Sequence, residues 1–116
     1  MSLLTDLEVF EIDIQDGLKR FVNNAGLFEK MLKKFPAAAE DLPVLSHFES
    51  GNIEAALANA HTLKGMTGNL SLTPLYKAYT EIVALLRAND PETAKKMLVD
   101  IIPVQENIIA CIKNHM

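Results

Sequence analysis

The run Ala60-His61-Thr62-Leu63-Lys64-Gly65-Met66-Thr67-Gly68-Asn69-Leu70 carries a histidine, a lysine three residues on, and glycines four and seven residues on. On a helix, positions i, i+3, i+4 and i+7 share one face. That face would hold a nucleophilic imidazole and an ammonium beside a strip without side chains. It suits acceptance of a bulky anionic group brought by another protein. A histidine ring nitrogen is nucleophilic near neutral pH without a helper base. In-line attack on a phosphoryl group needs open space, which the glycines leave. Charge on the transferring oxygens needs a nearby cation, which Lys64 supplies as a mobile point charge. Phosphoryl transfer rests mainly on positioning and electrostatics, so this small set of groups is sufficient.

The element that must carry these residues is a helix starting at Asn52, a good N-cap after the Ser50-Gly51 stop. With about 100° per residue, Glu54, Leu57, Lys64, Gly65 and Gly68 fall within roughly 60° of His61. Ala56, Ala60, Leu63, Thr67 and Leu70 lie opposite and form the expected core seam, which leaves His61 exposed. Glycine inside a helix is about 1 kcal/mol less favourable than alanine. The competing reading ends the helix at Lys64-Gly65, with the glycine in a left-handed C′ position. Leu70, in phase with Leu63, favours continuation to about residue 70.

Around this helix the text is helix-favouring, punctuated by five glycines and five prolines. A short first helix is expected over about Asp13 to Asn23, with Ile14, Leu18, Phe21 and Val22 on its apolar side. A second runs from about Leu27 to Glu49. Pro36 and Pro43 fall inside it, and one long bent helix is preferred because Ala37-Ala38-Ala39-Glu40 has no turn chemistry. Thr73-Pro74 reads as N-cap and first helical position of a helix striped by Leu75, Tyr79, Ile82 and Leu86. Asp90-Pro91 opens the last, with Ala94, Leu98, Ile101, Ile108 and Ile112 inward and a bend at Pro103. The expected fold is all-α: an antiparallel up-down four-helix bundle with a short extra N-terminal helix. Residues 1–11 read as an N-terminal lead, Met1-Ser2-Leu3 being a candidate cloning scar, and 12–116 as the bundle.

A chain of 116 residues with 49% hydrophobic residues can bury a core. A net charge of −4 and a pI near 5.3 argue against nucleic acid and give no reason for membrane-surface attraction. The lone Cys111 cannot form an internal disulfide, so a cytoplasmic setting is the default. It sits among isoleucines and reads as a small buried hydrophobe. His47 and His115 lack reactive neighbours and read as surface or helix-end residues. Met31, Met66 and Met97 read as gap-fillers, and the Lys33-Lys34 and Lys95-Lys96 pairs as solvated faces.

His61-Thr62-Leu63-Lys64-Gly65 followed by Gly68-Asn69-Leu70 resembles the signature of histidine-containing phosphotransfer (HPt) domains. The likeness extends from about Ile12 to the last helix. Gly17-Leu18-Lys19-Arg20-Phe21 is similar to the family's first helix, and Arg87-Ala88-Asn89-Asp90 to its turn before the last. The resemblance implies a four-helix bundle with His61 as phospho-acceptor and Lys64 stabilising the phosphoryl group. It also implies partners that are response-regulator receiver domains, with Mg²⁺ on the partner. Gly65 and Gly68 would leave room for docking, on a surface including Glu54, Leu57 and Ala58. One departure is visible: Ser71 stands where members often carry another glycine, which bears on the backbone after Leu70.

The expected protein is a monomeric relay and not an enzyme, with neither cofactor nor metal of its own. It would be a free-standing chain or the C-terminal module of a membrane-anchored hybrid sensor kinase, without direct membrane contact itself. No phosphate-binding loop is present, no histidine has an acidic residue three positions before it, and no Cys/His spacing suits zinc. The competing class is a helical interaction module that never carries phosphate.

Overall fold

A computed structural model describes residues 2–116. Among them the chain forms α1 (Leu3–Leu7), a 3₁₀ turn (Glu8–Phe10), α2 (Ile14–Arg20), α3 (Ala25–Leu32), α4 (Phe35–Glu40), α5 (Leu45–Glu49), α6 (Ile53–Asn69), α7 (Thr73–Arg87) and α8 (Pro91–Lys113), with no strand. None of these helices is long and apolar enough to cross a membrane.

Three long helices carry the architecture. α6 starts where Asn52 accepts a hydrogen bond from the Ala55 amide, and it runs unbroken through Gly65 and Gly68. Its seam is the expected one: Ala56, Ala60, Leu63, Thr67 and Leu70 are all buried. Thr67, the polar member, donates to the Leu63 carbonyl at 2.8 Å and so is satisfied inside the core. α6 ends in a Schellman turn, in which the Leu72 amide bonds the Thr67 carbonyl and the Ser71 amide the Gly68 carbonyl. Ser71 occupies the left-handed C′ position at φ +54°. This is the geometry that favours glycine, and the departure noted in the sequence falls on it.

α7 returns antiparallel to α6: Tyr76 packs beside Gly68 near the turn, and Arg87 shares a groove with Leu57 at the far end. The N-cap is Leu72 rather than Thr73, and Pro74 falls one place further into the helix than expected. The Thr73 hydroxyl instead donates to the Ser71 carbonyl and accepts from the Asp13 amide, tying the entry of α2 to that of α7. α8 packs along α7, capped by Asp90 and continuous through Pro103. The Tyr79 hydroxyl and Gln105 Oε1, 2.5 Å apart, join the two helices. Burial pushes the Tyr79 phenol up to about 12 against the opposing effect of that bond.

Two further expectations need correction. The stretch from about 27 to 49 is not one long bent helix but α3, α4 and α5. Pro36 sits in the first turn of α4, where a missing amide hydrogen is harmless, and Pro43 lies in the loop before α5. Pro36 therefore starts a helix and Pro43 precedes one, and neither bends a continuous helix. Asn59 Nδ2 braces the Pro43 carbonyl from α6 at 2.7 Å. The first helix stops at Arg20, so Val22 leaves its apolar face; it is 88% exposed at φ +55°. His115 stands at the end of α8 as expected, and its Nε2 lies 2.7 Å from Asp6 Oδ2 on α1.

Residues 2–11, expected as a lead, contain α1, whose Leu3 and Leu7 are buried and which packs against α8. Met1 of the suspected scar lies outside the described residues. Cys111 is half-buried, and burial raises its thiol pKa, with Asp6 adding to the shift. Met31, Met66 and Met97 are half-buried against the core.

Candidate functional site

His61 is exposed on α6 and sits at the meeting of two surface grooves. The larger encloses about 470 Å³ and is walled by three helices. α2 and its cap contribute Asp13, Asp16 and Arg20; α6 contributes His61, Lys64, Gly65 and Gly68; the start of α7 contributes Thr73 and Tyr76. The smaller, about 420 Å³, holds Glu54, Leu57, Ala58, His61 and Arg87. The residues expected around the imidazole therefore lie on one continuous face, and Lys64 is half-buried beside it. Leu57 is half-buried, while Glu54, Ala58 and Gly65 are exposed.

The two glycines differ in what surrounds them. A β-carbon on Gly65 would meet nothing within 4 Å, so the surface there is open. A β-carbon on Gly68 would lie 2.9 Å from Cδ1 and Cε1 of the Tyr76 ring. The space beside Gly68 is therefore filled by this chain's own aromatic side chain. Gly68 still lines the larger groove, but the open clearance on this face lies at Gly65.

One wall is held by a polar clasp. Ser71 Oγ donates to Asp16 Oδ2 at 2.6 Å, and Arg20 Nε donates to the same oxygen at 2.9 Å. These two bonds, Ser71's the stronger influence, hold the Asp16 carboxyl below its usual range. Asp16 in turn raises the Arg20 pKa, with the Tyr76 phenol adding a smaller push. The side chain of the left-handed residue after α6 thus fastens α2 beside the histidine face.

Comparison with protein-family models, with curated proteins and with solved structures gives no match.

Asp16, Arg20, Ser71, Tyr76 and Arg87 were not singled out as site residues from the sequence. Tyr76 lies off the apolar stripe of its own helix, and only the α6–α7 register brings it over Gly68. The Asp16–Ser71 contact spans 55 residues of chain. Ser71 gave a signal as the departure from glycine at the end of α6, and Arg20 and Arg87 stood only within segments resembling the family's first helix and its turn before the last.

Beyond Arg20 and Asn69 the surface continues into an apolar groove of about 660 Å³, floored by Phe21, Met31, Phe35 and Met66, with Lys34 at its margin. No group of three His, Cys, Asp or Glu side chains suited to a metal occurs among the described residues.

Proposed function

We propose that the protein is a phosphorelay intermediate of the HPt type. His61 accepts a phosphoryl group from the aspartyl phosphate of one receiver domain and passes it to the aspartate of another. In the first transfer an imidazole nitrogen attacks phosphorus in line, the nitrogen–phosphorus bond forms, and the acyl phosphate oxygen–phosphorus bond breaks. The electron pair of that bond leaves with the donor carboxylate. The second transfer is the reverse on a different aspartate. Mg²⁺ belongs to the receiver side of this reaction.

The observation that carries the reading is an exposed imidazole one helical turn from a lysine, beside a glycine with nothing within 4 Å of its β-carbon position. In-line approach needs that clearance, and Lys64 lies where it can follow the charge on the equatorial oxygens. The all-helical fold, with α7 antiparallel to α6 and α8 packed along α7, is compatible with the bundle of that family. We read the protein as a monomeric cytoplasmic module without ATP-dependent activity, free-standing or attached to a sensor kinase.

The apolar groove next to the site favours a second reading, a helical interaction module that binds a partner and carries no phosphate. Incubation with a panel of phosphorylated receiver domains separates the two. Acid-labile, alkali-stable phosphate on the wild type and none on His61→Gln supports the relay. An unlabelled wild type that still binds receivers favours the interaction module.

A further inference from the structure

Apolar contact alone does not fix which edge of a short helix faces a groove, because hydrophobic attraction has no preferred direction. α2 turns Ile14 and Gly17 inward, with Leu18 and Phe21 packed against the core, and Gly17 meets the ring of Phe28 on α3. The edge that walls the histidine groove carries Asp16 and Arg20, one turn apart. Two directional bonds reach this helix from the turn between α6 and α7. The Thr73 hydroxyl accepts from the Asp13 amide at 3.3 Å, and Ser71 Oγ donates to Asp16 Oδ2 at 2.6 Å.

Serine is a costly residue at that place. Among the described residues five non-glycine positions have positive φ: Glu11, Val22, Asn23 and Asn89 are exposed, and Ser71 is buried. Glycine takes this conformation without strain, whereas a residue with a β-carbon does not. What serine adds over glycine is the hydroxyl. The other buried polar side chain, Thr67, bonds within its own helix, while that of Ser71 crosses to another. The oxygen it reaches also accepts from Arg20 Nε, and Arg20 lines both the histidine groove and the apolar groove beside it. The clasp therefore stands on the boundary between the two.

Resting on the relay reading, we propose that Ser71 is a positioning residue for phosphotransfer, which through Asp16 holds α2 and Arg20 as a preformed wall between the two grooves. It touches neither the phosphoryl group nor the partner. Without its bond the edge of α2 takes several positions, and the partner binds the fraction that keeps the present one. Apparent affinity falls in proportion to that fraction. The step at His61 is unchanged once the partner is bound, because α6 keeps its Asn52 cap and its buried seam.

The test compares wild type, Ser71→Gly, Asp16→Ala and the double variant by amide hydrogen exchange, and by transfer from a phosphorylated receiver over a range of receiver concentrations. Ser71→Gly removes the hydroxyl together with the cost of a left-handed serine, so the variant folds and its Tm changes little. Exchange of the α2 amides speeds up about fivefold, the scale of one hydrogen bond, while that of α8 stays the same. KM rises about twofold to fivefold at an unchanged saturating rate. In the Asp16→Ala background the same substitution has no further effect, because the bond is already gone. Exchange in α2 equal to wild type, an unchanged KM, a loss confined to the saturating rate, or the same effect in both backgrounds overturns this assignment alone. A wild type that no receiver labels overturns both it and the relay reading.

Discussion

The ring of Tyr76 lies 2.9 Å from where a β-carbon on Gly68 would stand, whereas the same position on Gly65, less than one turn away, faces open solvent. Two glycines on one helix face therefore do different work. Gly68 accommodates the neighbouring helix, and Gly65 keeps the approach to His61 clear.

Gly65→Ala separates stability from function. With no steric conflict in a helix interior, the methyl group stabilises the fold by about 0.5–1 kcal/mol. The same methyl group narrows the approach to the imidazole, so transfer from a phosphorylated receiver slows. A thermal melt checks the first outcome and a transfer time course the second.

Gly17→Ala has the opposite sign. A β-carbon there would overlap the buried ring of Phe28, which stacks on Phe21 with centroids 5.3 Å apart. The ring has nowhere to go, so the variant loses about 1–3 kcal/mol, the usual result of overpacking a closed site. Urea unfolding of the variant beside the wild type measures it.

Lys64→Ala should slow transfer by about a hundredfold, the low end for loss of one charge-stabilising group. Helical content by circular dichroism stays the same, because Lys64 makes no ion pair among the described residues. Equal transfer rates would remove Lys64 from the reaction.

The Asp16 clasp makes a pH prediction with a definite sign. Its carboxyl is held below 3.8, first by Ser71 and then by Arg20. A carboxylate depressed in the folded state contributes stability above its unfolded value, lost as pH falls through the folded one. Asp16→Asn therefore flattens the acid limb of the Tm profile below 3.8. Tyr79 acts at the other end: its phenol is raised from 10.0 to about 12. Its contribution is complete below pH 10 and is lost as pH rises towards 12, so Tyr79→Phe flattens the alkaline limb. The same variant gives up about 1 kcal/mol at neutral pH with the Gln105 bond.

Much of this was legible in the sequence where one helix determines the outcome. The phase of Ala56, Ala60, Leu63, Thr67 and Leu70 gave the buried seam of α6 and the exposure of His61, and Asn52 and Asp90 cap the helices they were expected to cap. The stretch from about Leu27 to Glu49 reads as one helix because an alanine-rich segment with strong helix propensity also contains prolines. A proline in a first turn starts a helix as readily as an interior one bends it. Tyr76, Arg87 and the Asp16–Ser71 contact were illegible for a different reason. Each depends on the register between separate helices, which no local pattern encodes.

The most direct measurement is the location of the phosphate after incubation with a phosphorylated receiver, read by ³¹P NMR and by mapping under alkaline conditions. The chain offers three histidines: His47, His61 and His115. One phosphoramidate signal is expected, on His61 alone, absent from His61→Gln and discharged when an unphosphorylated receiver is added. Label on His47 or His115, label that survives in His61→Gln, or phosphate that no receiver can withdraw would contradict it.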